Sequence, residues 1–217
     1  MKNYDYVLFD LDGTVTESGP GVLRSMAYAM DKFSLPMPDD VPTRLFMGPP
    51  LSFSFRNYCH LPPEKIPDAL RFYREYYSQK GIFECSVYPG LEDLFKKIAK
   101  SGKTLLVASS KPEAYVKSIL AHFGLDGYFA FIGGADFEGL RGEKDQVLEY
   151  TLASAGVQDV TKAVMVGDRE HDIFGAAKFG MDSIGVLYGY GSRDELTAAG
   201  ATYLAETADD IANILGV

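Results

Sequence analysis

The sequence is short of cysteine, histidine and positive charge, and it has no long hydrophobic run. Two cysteines in 217 residues, Cys59 and Cys85, give neither a disulfide framework nor metal-ligand spacing, so a reducing, cytoplasmic setting is expected. The three histidines, His60, His122 and His171, have no ligand partner in the pattern: His60 and His122 read as surface and helix-face residues, His171 as a solvated turn residue. No stretch approaches the roughly 18 apolar residues of a membrane helix. The opening Met1-Lys2-Asn3-Tyr4-Asp5 runs straight into an apolar strand, without the apolar region and cleavage site of a signal peptide. Lys and Arg number 21 against 30 Asp and Glu, a net charge of −9, and no basic patch reverses that field locally. Such a surface repels the phosphates of nucleic acids and of anionic membranes. A small molecule is the partner class that remains; monomer and homodimer both stay open.

What is present is ordinary globular material, 47% hydrophobic and 24% charged. Tyr6-Val7-Leu8-Phe9, Thr104-Leu105-Leu106-Val107-Ala108, Ala163-Val164-Met165-Val166 and Ser183-Ile184-Gly185-Val186-Leu187 are apolar without alternation, as strands of a parallel sheet are when both faces are buried. Ala130-Phe131-Ile132 and Ala201-Thr202-Tyr203-Leu204 are weaker candidates. Between them, Leu91, Leu94, Phe95, Ile98 and Val116, Ile119, Leu120, Phe123 repeat at helical spacing, each set followed by a glycine, Gly102 or Gly124, at the expected stop. Alternating strands and helices predict a doubly wound α/β sheet. The rhythm breaks from Ser18 to Val87, where helix-like patterns (Val22, Met26, Ala29, Met30, Phe33; Leu70, Phe72, Tyr73, Tyr76, Tyr77) occur with nine of the eleven prolines and no convincing strand. Loops of that length are uncommon in compact domains, so an all-helical insertion is expected there, its tyrosines packing helices.

Four short segments carry candidate chemistry. Phe9-Asp10-Leu11-Asp12-Gly13-Thr14 puts a carboxylate at the end of an apolar strand, where a parallel sheet opens its ligand crevice. Asp10 and Asp12, two apart on an extended segment, can face one site, and Gly13 permits a sharp turn. An Asp-x-Asp-Gly can also open a calcium loop, but the terminal Glu of that pattern is replaced by Gly21. Gly167-Asp168-Arg169-Glu170-His171-Asp172 ends another strand; Asp172 can serve a site or cap the next helix. Ser109-Ser110-Lys111-Pro112 can hold a phosphate oxygen at a strand-to-helix turn, or Ser110 can be an ordinary cap. Lys144 opens a helix, a place where a lone lysine is usually at the surface.

In that order, Asp10-x-Asp12-Gly13-Thr14, Ser109, Lys144 and Gly167-Asp168-x-x-x-Asp172 resemble the four motifs of the haloacid dehalogenase-like superfamily, and the resemblance spans the whole chain. Tyr88-Pro89-Gly90 resembles the return to that superfamily's core. Residues 12–21 and 167–172 are most similar to phosphoglycolate phosphatase-like hydrolases, some of which are described as 5′-nucleotidases. The resemblance implies a Rossmann-like core over residues 1–17 and 88–217, with a helical cap of the C1 type over residues 18–87. It implies a Mg²⁺-dependent phosphomonoester hydrolase acting on a small phosphorylated metabolite, phosphoglycolate-like or a nucleoside monophosphate. Asp10 would be the nucleophile that forms an aspartyl-phosphate, and Asp12 the general acid and base. Asp10, the Asp12 carbonyl and Asp168 would bind Mg²⁺, with Asp172 acting behind them or through water. Ser109, Lys144 and backbone amides near Gly13 and Ser110 would hold the phosphoryl oxygens. Gly48, in the segment Leu45-Phe46-Met47-Gly48-Pro49-Pro50-Leu51, would contact the leaving group with Glu17 and Arg44 or Arg56; a rigid helix–helix turn would use the same residues.

The chain departs from the family pattern in two places. Ser109-Ser110 stands where relatives often carry Thr-Asn, which keeps Ser110 as the alternative phosphate ligand. Lys144-Asp145 stands where many have Lys-Pro, which keeps Lys111 as the rival cation. A phosphomutase would use the same motifs, and a phospho-receiver protein would use the same residue types in a different order. A dehalogenase would not carry Asp12.

Overall fold

The computed structural model describes residues 2–137 and 140–217; Met1 lies outside them. In chain order the elements are β1 (Tyr6–Phe9), β2 (Thr16–Glu17), α1 (Gly19–Asp31), α2 (Leu51–Asn57), α3 (Ile66–Gln79), β3 (Ser86–Val87), α4 (Leu91–Lys100), β4 (Thr104–Pro112), α5 (Glu113–His122), β5 (Phe129–Ala135), α6 (Lys144–Ser154), β6 (Ala163–Gly167), α7 (Glu170–Lys178), β7 (Asp182–Val186), α8 (Arg193–Ala198), β8 (Tyr203–Ala205) and α9 (Ala208–Leu215). They form two compact units: Met1–Glu17 with Val87–Val217, and Ser18–Ser86. Among the described residues, no helix is long and apolar enough to cross a membrane.

The first unit is built on a six-stranded sheet of order β5-β4-β1-β6-β7-β8, parallel at every pairing. It is the doubly wound α/β fold that the apolar runs predict. The runs are unbroken because each residue meets a covering layer. Leu8 points into a cluster with Leu106, Met165, Val147 and Leu148, the last two from α6. Phe9, on the opposite face, meets Phe95 of α4 edge-on with ring centroids 5.2 Å apart. Gly102 and Gly124 follow α4 and α5 in the left-handed region, at φ +82° and +67°, where a residue without Cβ carries little strain. From β1 the chain runs outward to β4 and β5, then returns through α6 to β6 on the other side. That reversal opens a crevice at the carboxyl ends of the central strands.

The second unit is helical. Gly21 of α1 lies so close to Gly81 that a Cβ there would overlap its carbonyl. Tyr28 pairs with Tyr76 and Phe33 with Phe72, and Tyr73 stacks on Tyr77. These rings pack helices, as the spacing indicates. Cys59 is buried, and burial pushes its thiol up to about 11.

Leu8, with no exposed surface at the centre of this sheet, reports on the packing directly. Leu8→Ala is expected to cost about 2–5 kcal/mol in urea unfolding, the range for a large-to-small change in a closed core. A cost well under about 1 kcal/mol would contradict the described packing.

Candidate active site

Three strand ends and two helix starts meet at the crevice. Asp10 follows β1 directly, and its N–H bonds to the Val166 carbonyl at 2.9 Å, so the strand's geometry carries through it. Two residues beyond Leu8, it shares Leu8's direction toward α6. There it meets Lys144, the first residue of that helix. The helix start is fixed by a capping box in which Gln146 Oε1 accepts the Gly142 and Glu143 N–H groups at 3.0 and 3.1 Å. Gly175 of α7 makes room, since a Cβ there would stand 2.8 Å from Lys144 Cγ. Lys144 is 7% exposed, not a surface lysine. Its Nζ donates to Asp10 Oδ1 at 2.8 Å and the Ala108 carbonyl at 2.9 Å, and lies 2.7 Å from Asp172 Oδ1. All three ammonium donors are thereby used. Asp10 Oδ2 accepts no hydrogen bond from the described residues.

Asp172 both joins the acidic cluster and caps its own helix. One oxygen pairs with Lys144, and the other accepts the Arg169 N–H at 3.1 Å in the first turn of α7. His171, exposed, lies in that helix rather than in a turn. Asp168 is fully buried. Its Oδ1 accepts the Thr14 hydroxyl at 3.2 Å and its Oδ2 the Tyr190 N–H at 2.8 Å. Asp10, Asp168 and Asp172 each offer an oxygen within 4.8 Å of the others.

The electrostatics follow from burial. Desolvation pushes the Asp10 carboxyl up to about 6, against the pull of Lys144 and with a further push from Asp172. Asp168 is raised well above the usual carboxylate range by burial and by Asp172 and Asp10, with the Tyr190 N–H and Arg169 opposing. For Lys144, burial disfavours the ammonium, but Asp10 and Asp172 outweigh it and hold the group above an ordinary lysine. Three buried carboxylates therefore lie together with a single ammonium, which pairs with two of them.

The remaining site residues divide. Asp12 does not place its carboxylate in the cluster: Lys111 Nζ holds it, 2.7 Å from Oδ1. Only the Asp12 carbonyl remains for the metal set in which it was expected. The two lysines are thus sorted, Lys144 to Asp10 and Lys111 to Asp12. Gly13 turns the chain at φ +83°, and a Cβ there would overlap the Asp168 carboxylate. Its own N–H is taken by the Thr16 carbonyl at 2.7 Å, so the turn's unpaired amides are those of Leu11 and Asp12, among the described residues. Ser109 is buried and its Oγ accepts the Lys111 N–H at 3.4 Å, while Ser110 is exposed. Ser110 does not cap α5, which begins after Pro112. Glu17 accepts the Tyr190 hydroxyl at 3.4 Å. Gly48 belongs to the helical unit, in a left-handed turn at φ +105° ahead of α2.

Sequence reasoning passed over Tyr188-Gly189-Tyr190-Gly191. The available signal was two alternating glycines directly after a buried strand, at the crevice end of a parallel sheet, where close backbone approach is common.

The site is thus an acidic cluster at the carboxyl ends of a parallel sheet, with a buried lysine bridging two of its members. The model of the haloacid dehalogenase-like hydrolase family matches residues 7–186, and the chain belongs to that family. It is 36% identical over 206 residues to a 5′-nucleotidase of Pseudomonas aeruginosa, covering 94% of this chain and 93% of the relative. It is 37% identical over 214 residues to the tyrosine-protein kinase PtkA of Mycobacterium tuberculosis, covering 97% of this chain and 72% of that one. Among solved structures it resembles a predicted phosphatase from Clostridium acetobutylicum, with a TM-score of 0.90, 41% identity and full coverage of both chains.

Removing the ammonium strands two buried carboxylates. Lys144→Met is expected to cost about 3–5 kcal/mol in metal-free denaturant unfolding, as breaking a buried ion pair from one side does. Wild-type stability in that variant would contradict the pairing.

Proposed function

We propose that the protein is a Mg²⁺-dependent phosphomonoesterase that cleaves a small phosphorylated metabolite through an aspartyl-phosphate on Asp10. The observation that carries this reading is the Asp10–Asp168–Asp172 cluster within 4.8 Å, with Lys144 between two of its members. The residues fit a divalent cation: the donors are hard carboxylate oxygens, and their charge exceeds what one ammonium offsets. Asp10, Asp168 and the Asp12 carbonyl would hold the ion, with Asp172 behind them. Bound Mg²⁺ supplies positive charge to the phosphoryl oxygens and lowers the repulsion between phosphate and carboxylate.

The chain's own residues do the rest. Asp10 Oδ2, left without a hydrogen bond, attacks phosphorus as the ester P–O bond breaks. Asp12 gives its proton to the leaving oxygen. It then takes a proton from water, which attacks phosphorus and breaks the Asp10–phosphate bond, returning the carboxylate and releasing inorganic phosphate. Lys144 offsets the charge of Asp10 so that an anionic substrate can approach. Ser109, or Ser110 beyond it, and the free amides of the turn before Gly13 receive the phosphoryl oxygens. Glu17 and the segment around Gly48 are assigned to substrate choice. A nucleoside monophosphate accords with the name of the 5′-nucleotidase relative, and a phosphoglycolate-like acid with that of a phosphoglycolate phosphatase of Vibrio vulnificus, 26% identical over 219 residues.

Inorganic phosphate release from a panel of such esters tests this. Release is expected with Mg²⁺, to vanish with chelator, and to fall to background in Asp10→Asn. Asp12→Asn is expected to lose about 10²–10⁴-fold, the usual contribution of general acid–base catalysis. Folded protein that releases no phosphate from any ester, or that only transfers the group from ATP to a phenol or between positions of a sugar, would overturn the assignment.

A further inference from the structure

The segment after β7 touches the acidic cluster more closely than any role assigned above requires. Asp168 is held at both carboxylate oxygens, and both bonds lead to this segment. Oδ2 accepts the Tyr190 N–H at 2.8 Å. Oδ1 accepts the hydroxyl of Thr14, and the Thr14 carbonyl is in turn fixed by the Tyr188 hydroxyl at 3.0 Å. The backbone lies directly against Asp168. A Cβ on Gly189 would overlap Asp168 Cβ and the Gly13 carbonyl and stand 2.7 Å from Asp168 Oδ2, and one on Gly191 would overlap the Asp168 carbonyl. The two glycines are what let the Tyr190 amide reach the carboxylate.

The tyrosine rings anchor the segment from its other side. Tyr188 packs against Tyr88 with ring centroids 4.8 Å apart, and the Tyr88 N–H bonds to the Val15 carbonyl at 3.1 Å. Burial first, then Asp168 and Tyr88, hold the Tyr188 phenol above its ordinary range, so it stays a neutral donor to Thr14. The phenol of Tyr190 reaches Glu17. One four-residue loop therefore grips Asp168, the turn after β1, and residues 17 and 88, beside which the chain leaves and re-enters this unit.

We propose that Tyr188-Gly189-Tyr190-Gly191 is the positioning element of the metal site, setting the orientation of the Asp168 carboxylate through both of its oxygens. The inference rests on the reading of Asp168 as a metal ligand. A carboxylate with one donor on each oxygen keeps a second lone pair on each for a cation, but in a single fixed plane. Tyr188 and Tyr190 act through Asp168 and Thr14 and are positioning residues, not catalytic ones. Partners one step behind a metal ligand typically change affinity by about 10–100-fold when removed.

The test is the Mg²⁺ dissociation constant measured by titration calorimetry on the whole chain without substrate, alongside the melting temperature without metal. Tyr188→Phe keeps the ring and deletes only the hydroxyl that fixes Thr14. Acting one step further back, through Thr14, it is expected to weaken Mg²⁺ by up to about 10-fold, the low end for groups behind a metal ligand, while leaving the metal-free melting temperature nearly unchanged. Gly189→Ala, which displaces the backbone from Asp168, is expected to weaken it about 10–100-fold; should that variant fail to fold, Tyr188→Phe decides. A wild-type dissociation constant in folded Tyr188→Phe would overturn the inference and leave the metal reading standing. A wild-type chain that binds no Mg²⁺ would overturn the metal reading, and this inference with it.

Discussion

The arrangement depends on one buried ammonium. Lys144 brings together the end of β1 through Asp10, the middle of β4 through the Ala108 carbonyl, and the first turn of α7 through Asp172. A charge out of water is tolerated only when it is paired and its hydrogen bonds are complete, and here every donor is used. The neighbouring sequence serves that condition. Glu143 and Gln146 start the helix at the right residue, and Gly175 leaves room for the lysine's stem. Asp172 divides its two oxygens between the lysine and its own helix.

The same pairing leaves an imbalance, and function is argued from it. Lys144 neutralises one charge of a trio, and Asp168 is held by a hydroxyl and an amide, with no cation among its hydrogen-bond donors in the described residues. The cluster is stable enough to fold and still short of positive charge, the condition in which a divalent cation adds most. Asp10 sits between the two regimes, one oxygen bound to Lys144 and the other open. That division suits the nucleophile proposed for Asp10, with one oxygen to fix its direction and a second to react.

Much of this was legible from residues alone. The unbroken apolar runs of β1, β4, β6 and β7 announced a sheet buried on both faces, and the glycines after α4 and α5 marked their ends. Asp10 and Asp168 stood out because charged residues at the ends of buried strands need partners, whereas Lys144, at a helix start where a lone lysine is usually at the surface, stood out only through the order of the four segments. The partners themselves were less legible. Whether Lys111 or Lys144 meets Asp10 depends on how α6 lies across the sheet, which local spacing does not encode. The two-residue period puts Asp12 near enough for its charge to act on Asp10, but it does not reveal that Lys111 pairs with it. The loop at residues 188–191 went unread because its key donor is a backbone N–H and its key residues are glycines, neither of which carries a chemical signature.

The central claim is that Asp10 is the group that takes the phosphoryl from the substrate. Acid-quenching the protein during turnover with Mg²⁺ and a cleaved phosphomonoester, then mapping its peptides by mass spectrometry, tests that claim most directly. The account predicts one added phosphoryl group on the peptide containing Asp10, trapped at the acidic quench and released by mild base. Phosphate release with the phosphoryl group on another residue, or with no labelled peptide under conditions that preserve acyl phosphates, would contradict it.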